Sequence, residues 1–190
     1  AVSRPVRAGE SFWRPAQADA DRTASDAEQR RPCHRRQHAS RAPDRTVAGT
    51  GYVGLVAGVC FAEVGHQVTC VDIDEKKIQL MKQGISPIYE EGLEELMRKN
   101  YAAGRLDFTT DYKSAYRDAD AIFIGVGTPE RPDGSADLTH IATVARQIAE
   151  TVEKDGLVVV KSTVPVGTND KVEQFIRDFL PRDGQRYTGN

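Results

Sequence analysis

Val47-Ala-Gly-Thr-Gly-Tyr-Val-Gly54, followed further on by His66-Gln-Val-Thr-Cys-Val-Asp-Ile-Asp74, is the stretch whose reading decides the fold. Gly49, Gly51 and Gly54 give a G-x-G-x-x-G spacing, which is weak alone because glycine-rich hexapeptides arise by chance. The surroundings strengthen it. Val53, Val56, Ala57, Cys60, Phe61 and Val64 recur at helical spacing and predict a helix closed by Gly65. Val68 to Val71 then predicts a strand that ends in an acid, Asp72, 18 residues past Gly54. Strand, glycine turn, helix, strand and acid together form the dinucleotide-binding βαβ pattern.

Each residue of that pattern has a separate physical task. Gly49 turns the chain sharply out of the first strand. Gly51, lacking a Cβ, lets a pyrophosphate approach the backbone, and Gly54 lets helix and strand pack closely, with Gly58 extending the smooth face. The free N–H groups at the helix start, carried by Tyr52, Val53 and Gly54, face the phosphates with the positive end of the helix dipole. Asp72 accepts hydrogen bonds from the adenosine ribose diol and repels a 2′-phosphate, which favours NAD over NADP. The competing explanation is an ordinary strand-turn-helix joint whose glycines serve tightness alone.

The 190 residues carry a net charge of −2, which argues against a dedicated nucleic-acid binder. No apolar run reaches the roughly 18 residues of a membrane span, and no signal-peptide pattern appears. Cys33, Cys60 and Cys70 form an odd set without C-x-x-C spacing, so a reducing compartment and a cytoplasmic protein are expected. Cys60 and Cys70 read as buried small apolar residues on the predicted helix and strand. Residues 1–45 differ from the rest: they hold ten arginines and no lysine, and Leu, Ile and Met are absent. Val2, Val6, Phe12 and Trp13 cannot offset the entropy of ordering such a segment, so a disordered Arg-rich extension is expected. Cys33, His34 and His38 within it would make a poor zinc site, and no metal is expected.

From Thr46 onward the pattern is regular, and a domain over 46–180 with an unstructured tail over 181–190 follows. A central strand of such a sheet is buried on both faces, yet Arg41-Ala-Pro-Asp-Arg precedes Thr46-Val-Ala, so the first strand is expected to be clipped. Helices are predicted over 75–83, 93–103, 112–117, 138–154 and 169–180. Strands are predicted over 106–109, in the apolar run Ala121-Ile-Phe-Ile-Gly-Val, and at Leu157-Val-Val-Val, the last two buried. Strands alternating with helices make an α/β fold: a Rossmann-type, doubly wound parallel sheet.

Further motifs accompany the glycine turn in order: Pro87-Ile-Tyr-Glu-Glu-Gly-Leu, Gly125-Val-Gly-Thr-Pro, Asp133-Gly-Ser-Ala-Asp-Leu and Lys161-Ser-Thr-Val-Pro-Val-Gly-Thr. Over residues 46–180 this succession resembles the NAD-binding domain of the UDP-glucose/GDP-mannose dehydrogenase family, with wording nearest the UDP-glucose branch. GDP-mannose and UDP-N-acetylmannosamine dehydrogenases are the nearest alternatives within the family, and a stand-alone NAD-binding module lies outside it. The resemblance implies oxidation of a sugar C6 alcohol to a carboxylate with two NAD+, through a thiohemiacetal and thioester on a cysteine. It implies that Gly49, Gly51 and Gly54 hold the pyrophosphate and that Asp72 with Lys77 faces the ribose. It further places Thr128 against the cofactor and Thr163 by the nicotinamide, where it helps position a water and the reacting oxygen. Loop-capping roles for both threonines stay open. The family's sixth strand, catalytic lysine, nucleophilic cysteine and sugar-binding domain follow the last helix and have no counterpart in Pro181–Asn190. The 190-residue chain is therefore expected to be inactive alone, the UDP-sugar needing the second domain, and homo-oligomers are expected of the full-length family.

Overall fold

The computed structural model describes residues 44–179. Residues 1–43 of the expected extension, with the Cys33, His34 and His38 cluster, lie outside these residues, as does the tail over 181–190, whereas Asp44 and Arg45, expected in the extension, belong to a strand. The elements alternate: β1 (Asp44–Ala48), α1 (Tyr52–Glu63), β2 (Gln67–Val71), α2 (Glu75–Lys82), α3 (Leu93–Ala102), β3 (Leu106–Thr109) and α4 (Tyr112–Arg117) come first. Then follow β4 (Ala121–Ile124), α5 (Thr139–Thr151), β5 (Leu157–Val160) and α6 (Thr168–Phe179). Among the described residues the sheet has five parallel strands in the order β3-β2-β1-β4-β5. The order reverses between β1 and β4, the crevice where such sheets take ligands.

β1 starts two residues earlier than its composition implies. The Asp44 N–H donates to Asp120 Oδ2 at 2.8 Å, and the Asp120 N–H returns a bond to the Asp44 carbonyl at 2.9 Å. Arg45 lays its guanidinium over the Phe61 ring, 5.6 Å from the centroid. At the amino end of a strand polar side chains can reach the rim of the sheet, so charge is tolerated there while Thr46, Val47 and Ala48 are buried.

Each face of the sheet carries an apolar core. On one side Val47, Cys70, Phe108 and Phe123 pack with Leu55 and Val59 of α1 and Met97 of α3. On the other, Ala48, Val71, Ile122 and Ile124 pack with Tyr116, Ile141, Ile148 and Ile176 of α4, α5 and α6. The α1 face that packs is Gly54, Leu55, Gly58, Val59 and Ala62. This differs from the periodic run of the sequence: Val53 and Cys60 are exposed, and Val64 is 72 % exposed. A helix apolar all round offers no unique stripe, and the glycines decide which side approaches the strands. A Cβ on Gly58 would stand 2.6 Å from Cys70 Sγ. Cys60 is thus not the buried residue expected, whereas Cys70 is, and its burial pushes the thiol pKa up to about 12.

Helix boundaries follow their caps. Gly65 ends α1 at φ 99°, a conformation costly for other residues. Asp74 caps α2 through the N–H groups of Lys76 and Lys77, and Asp111 caps α4. Helix α5 is shorter than the apolar pattern at both ends. Asp137 Oδ1 accepts the Thr139 N–H and hydroxyl at 2.9 and 2.6 Å, and Val152 has already turned extended. β5 is half-buried rather than buried, with Leu157 60 % exposed, because it forms the edge of the described sheet.

Candidate functional site

The carboxyl ends of β1, β2, β4 and β5 share one rim, and every site residue expected from the sequence lies along it or in the segments leaving it. The β1 end is tied to both neighbours: the Gly49 N–H donates to the Val71 carbonyl and the Gly125 N–H to the Ala48 carbonyl, both at 2.8 Å. Gly49 turns at φ 99°, and a Cβ there would stand 3.0 Å from the Gly125 oxygen and from Val126. On Gly54 a Cβ would collide with the Gly49 carbonyl oxygen, and one on Gly125 would reach 2.9 Å from the Gly54 Cα. These three glycines are therefore demanded by the fold itself.

Gly51 is different. Its φ of −71° and ψ of −173° suit any residue, and an added Cβ would meet no protein atom within 4 Å beyond its chain neighbours. Neither strain nor packing explains a glycine here. The α1 ladder opens with the Leu55 N–H on the Gly51 carbonyl at 2.9 Å, so the N–H groups of Tyr52, Val53 and Gly54 precede it and face the same opening. Tyr52 and Val53 are exposed at that rim, and the Tyr52 hydroxyl donates to Glu90 in the α2–α3 connection.

Asp72 follows β2 and is half-buried. The Thr50 N–H and hydroxyl both donate to its Oδ2, at 2.8 and 2.5 Å, and the Asp74 N–H donates to Oδ1 at 3.0 Å. Burial opposes its ionisation, but the hydrogen bonds from Thr50 and Asp74, with the Lys77 ammonium beyond them, prevail and hold its pKa below the usual carboxylate value. Asp72 and Lys77 are thus brought together.

On the other side of β1 the loops after β4 and β5 are bound to each other. Thr128 Oγ1 donates to the Thr163 carbonyl at 2.8 Å, and the Ser162 hydroxyl donates to the Val126 carbonyl at 2.6 Å. His140 Nδ1 lies 3.2 Å from the Gly127 carbonyl. Thr128 is half-buried and Thr163 exposed. Sequence reasoning missed Thr50, Ser162, His140 and Glu90, whose partners are 13 to 38 residues away and carry no local signature. Among the described residues no three His, Cys, Asp or Glu side chains gather as a metal site, and no helix is long and apolar enough to cross a membrane.

The sequence model for the NAD binding domain of the UDP-glucose/GDP-mannose dehydrogenase family matches residues 45–185. The chain belongs to that family. UDP-glucose 6-dehydrogenase YwqF of Bacillus subtilis (strain 168) is 58 % identical over 135 residues, covering 71 % of this chain and 31 % of that protein. The UDP-glucose 6-dehydrogenase of Rhizobium meliloti (strain 1021) is 54 % identical over 137 residues, 72 % of this chain and 31 % of its own length. Among solved structures, a UDP-glucose dehydrogenase from Pyrobaculum islandicum superposes with a TM-score of 0.71 at 38 % identity, covering 78 % of this chain and 35 % of that one. A ternary complex of GDP-mannose dehydrogenase from Pseudomonas aeruginosa gives 0.68 at 43 %, covering 75 % and 33 %. The chain thus spans about a third of the curated relatives it matches. Its residues fit the cofactor of the family's domain: the space where a Gly51 side chain would stand is open, the α1 N–H groups beside it precede the helix ladder, and a carboxylate stands at the end of β2.

Proposed function

We propose that this chain is the NAD-binding part of a UDP-glucose 6-dehydrogenase, holding NAD+ across the β1–β4 crevice while a UDP-sugar is oxidised. Bound NAD+ supplies the hydride acceptor. Gly51 and the first turn of α1 hold the diphosphate between Gly49 and Gly54, with Tyr52 and Val53 contributing N–H groups. Asp72 and Lys77 take the adenosine ribose, and the ionised Asp72 turns away a 2′-phosphate. Thr128 borders the nicotinamide half, and Thr163 beside it helps position a water and the reacting oxygen.

The single observation that carries this reading is Gly51: its backbone and surroundings would accept a side chain, and a ligand that needs the space accounts for its lack of one. The relatives named UDP-glucose 6-dehydrogenase, at 58 and 54 % identity, support that sugar over the GDP-mannose and UDP-N-acetylmannosamine alternatives. Calorimetric titration with NAD+ and NADP+ tests the proposal. Micromolar NAD+ binding with NADP+ at least about tenfold weaker is expected, since one charged hydrogen bond is lost and a repulsion gained. Equal affinity for both would refute the assignment of Asp72.

A further inference from the structure

We infer that Thr50 is a positioning residue that leaves Asp72 one open acceptor site, so that this carboxylate takes one hydroxyl of the adenosine ribose and not both. The inference rests on the reading above that Asp72 faces that ribose. An ionised carboxylate offers about four lone-pair sites. Thr50 fills both on Oδ2, with its N–H at 2.8 Å and its hydroxyl at 2.5 Å. The Asp74 N–H, at 3.0 Å, fills one on Oδ1. What remains is a single lone pair on Oδ1.

The arrangement resists rearrangement. Thr50 is 1 % exposed, so no water can replace Asp72 as partner for its hydroxyl. Its N–H direction is set by the Gly49–Gly51 turn, which is pinned to β2 through Val71 and to β4 through Gly125. Rotating the carboxylate to offer both oxygens to the ribose would strand two buried donors, a larger loss than one hydrogen bond returns. The second hydroxyl is left to Lys77, whose charge already reaches that carboxylate. Thr50 touches neither cofactor nor substrate in this account. It acts through Asp72.

The test titrates NAD+ and its adenosine-side 2′-deoxy and 3′-deoxy analogues into the 190-residue chain and its Asp72→Asn, Thr50→Val and Thr50→Ser variants, with circular dichroism to verify folding. In the wild type one deoxy analogue is expected to bind about tenfold more weakly than NAD+, the cost of one hydrogen bond to a charged group. Asp72→Asn abolishes that particular difference and leaves the other analogue's loss in place. Thr50→Val, equal in shape but without the hydroxyl, keeps the backbone N–H on Oδ2 yet frees the second acceptor position there and narrows the difference between the two analogues, whereas Thr50→Ser keeps the wild-type pattern. A merely structural threonine would not alter which hydroxyl is read. Erasure of both losses by Asp72→Asn, or an unchanged pattern in Thr50→Val, would overturn the inference while leaving the ribose at Asp72. A folded Asp72→Asn variant that binds NAD+ as the wild type does would instead remove the ribose from Asp72, and overturn the parent reading too.

Discussion

The two sides of the rim are built on different principles. On the β1–β2 side the backbone itself is the constraint: Gly54 and Gly49 interlock, Gly125 closes over them, and three donors converge on Asp72. On the β4–β5 side the loops carrying Thr128 and Thr163 are held by a few side-chain-to-carbonyl bonds, and the strand beneath them is half-buried. The first side can order the adenosine half of a dinucleotide with few adjustable parts. The second rests on side-chain bonds that a single substitution can remove.

The largest test of this contrast is Gly54→Ala. Its Cβ would enter the Gly49 carbonyl, which is backbone and cannot move aside, so a loss of about 3 kcal/mol in urea unfolding is expected, at the upper end of overpacking costs. A smaller but selective effect is expected from Asp72→Asn. NAD+ affinity should fall about tenfold and discrimination against NADP+ should shrink, as competition calorimetry would register. On the looser side, Thr128→Val removes one hydrogen bond at a partly solvated loop. A cost of about 1 kcal/mol or less in the same unfolding assay is expected, with the NAD+ to NADP+ ratio unchanged. A ratio that moved would mean the two sides are coupled after all.

The smallest effect concerns acid. The folded pKa of Asp72 lies below its unfolded value near 3.9, so its contribution to stability is fully present above about pH 4 and lost as pH falls through the folded value. Unfolding midpoints measured between pH 5 and 2 should show Asp72→Asn losing part of the acid-side decline seen in the wild type.

The same contrast separates what the sequence disclosed from what it hid. The glycine turn, Asp72 and the strands at 68–71 and 106–109 were legible because their requirements are local: a φ, a missing Cβ, an apolar run. The packed face of α1 was not, because Val53, Cys60 and Val64 are as apolar as Leu55 and Val59, and only contact with β1 and β2 selects among them. β1 reached back to Asp44 through a bond to Asp120, 76 residues away, which no window around Pro43 could reveal. Thr50 was hidden for the same reason. Between two glycines it looks like filler until Asp72 is folded beside it.

Gly51 lacks a side chain for the sake of a ligand rather than the fold, and the Gly51→Val variant separates the two demands. The variant should unfold at the wild-type urea midpoint, because its side chain starts in free space at an ordinary φ, and should lose NAD+ binding in calorimetry. A Gly51→Val protein that is folded and still binds NAD+ with wild-type affinity would contradict the claim.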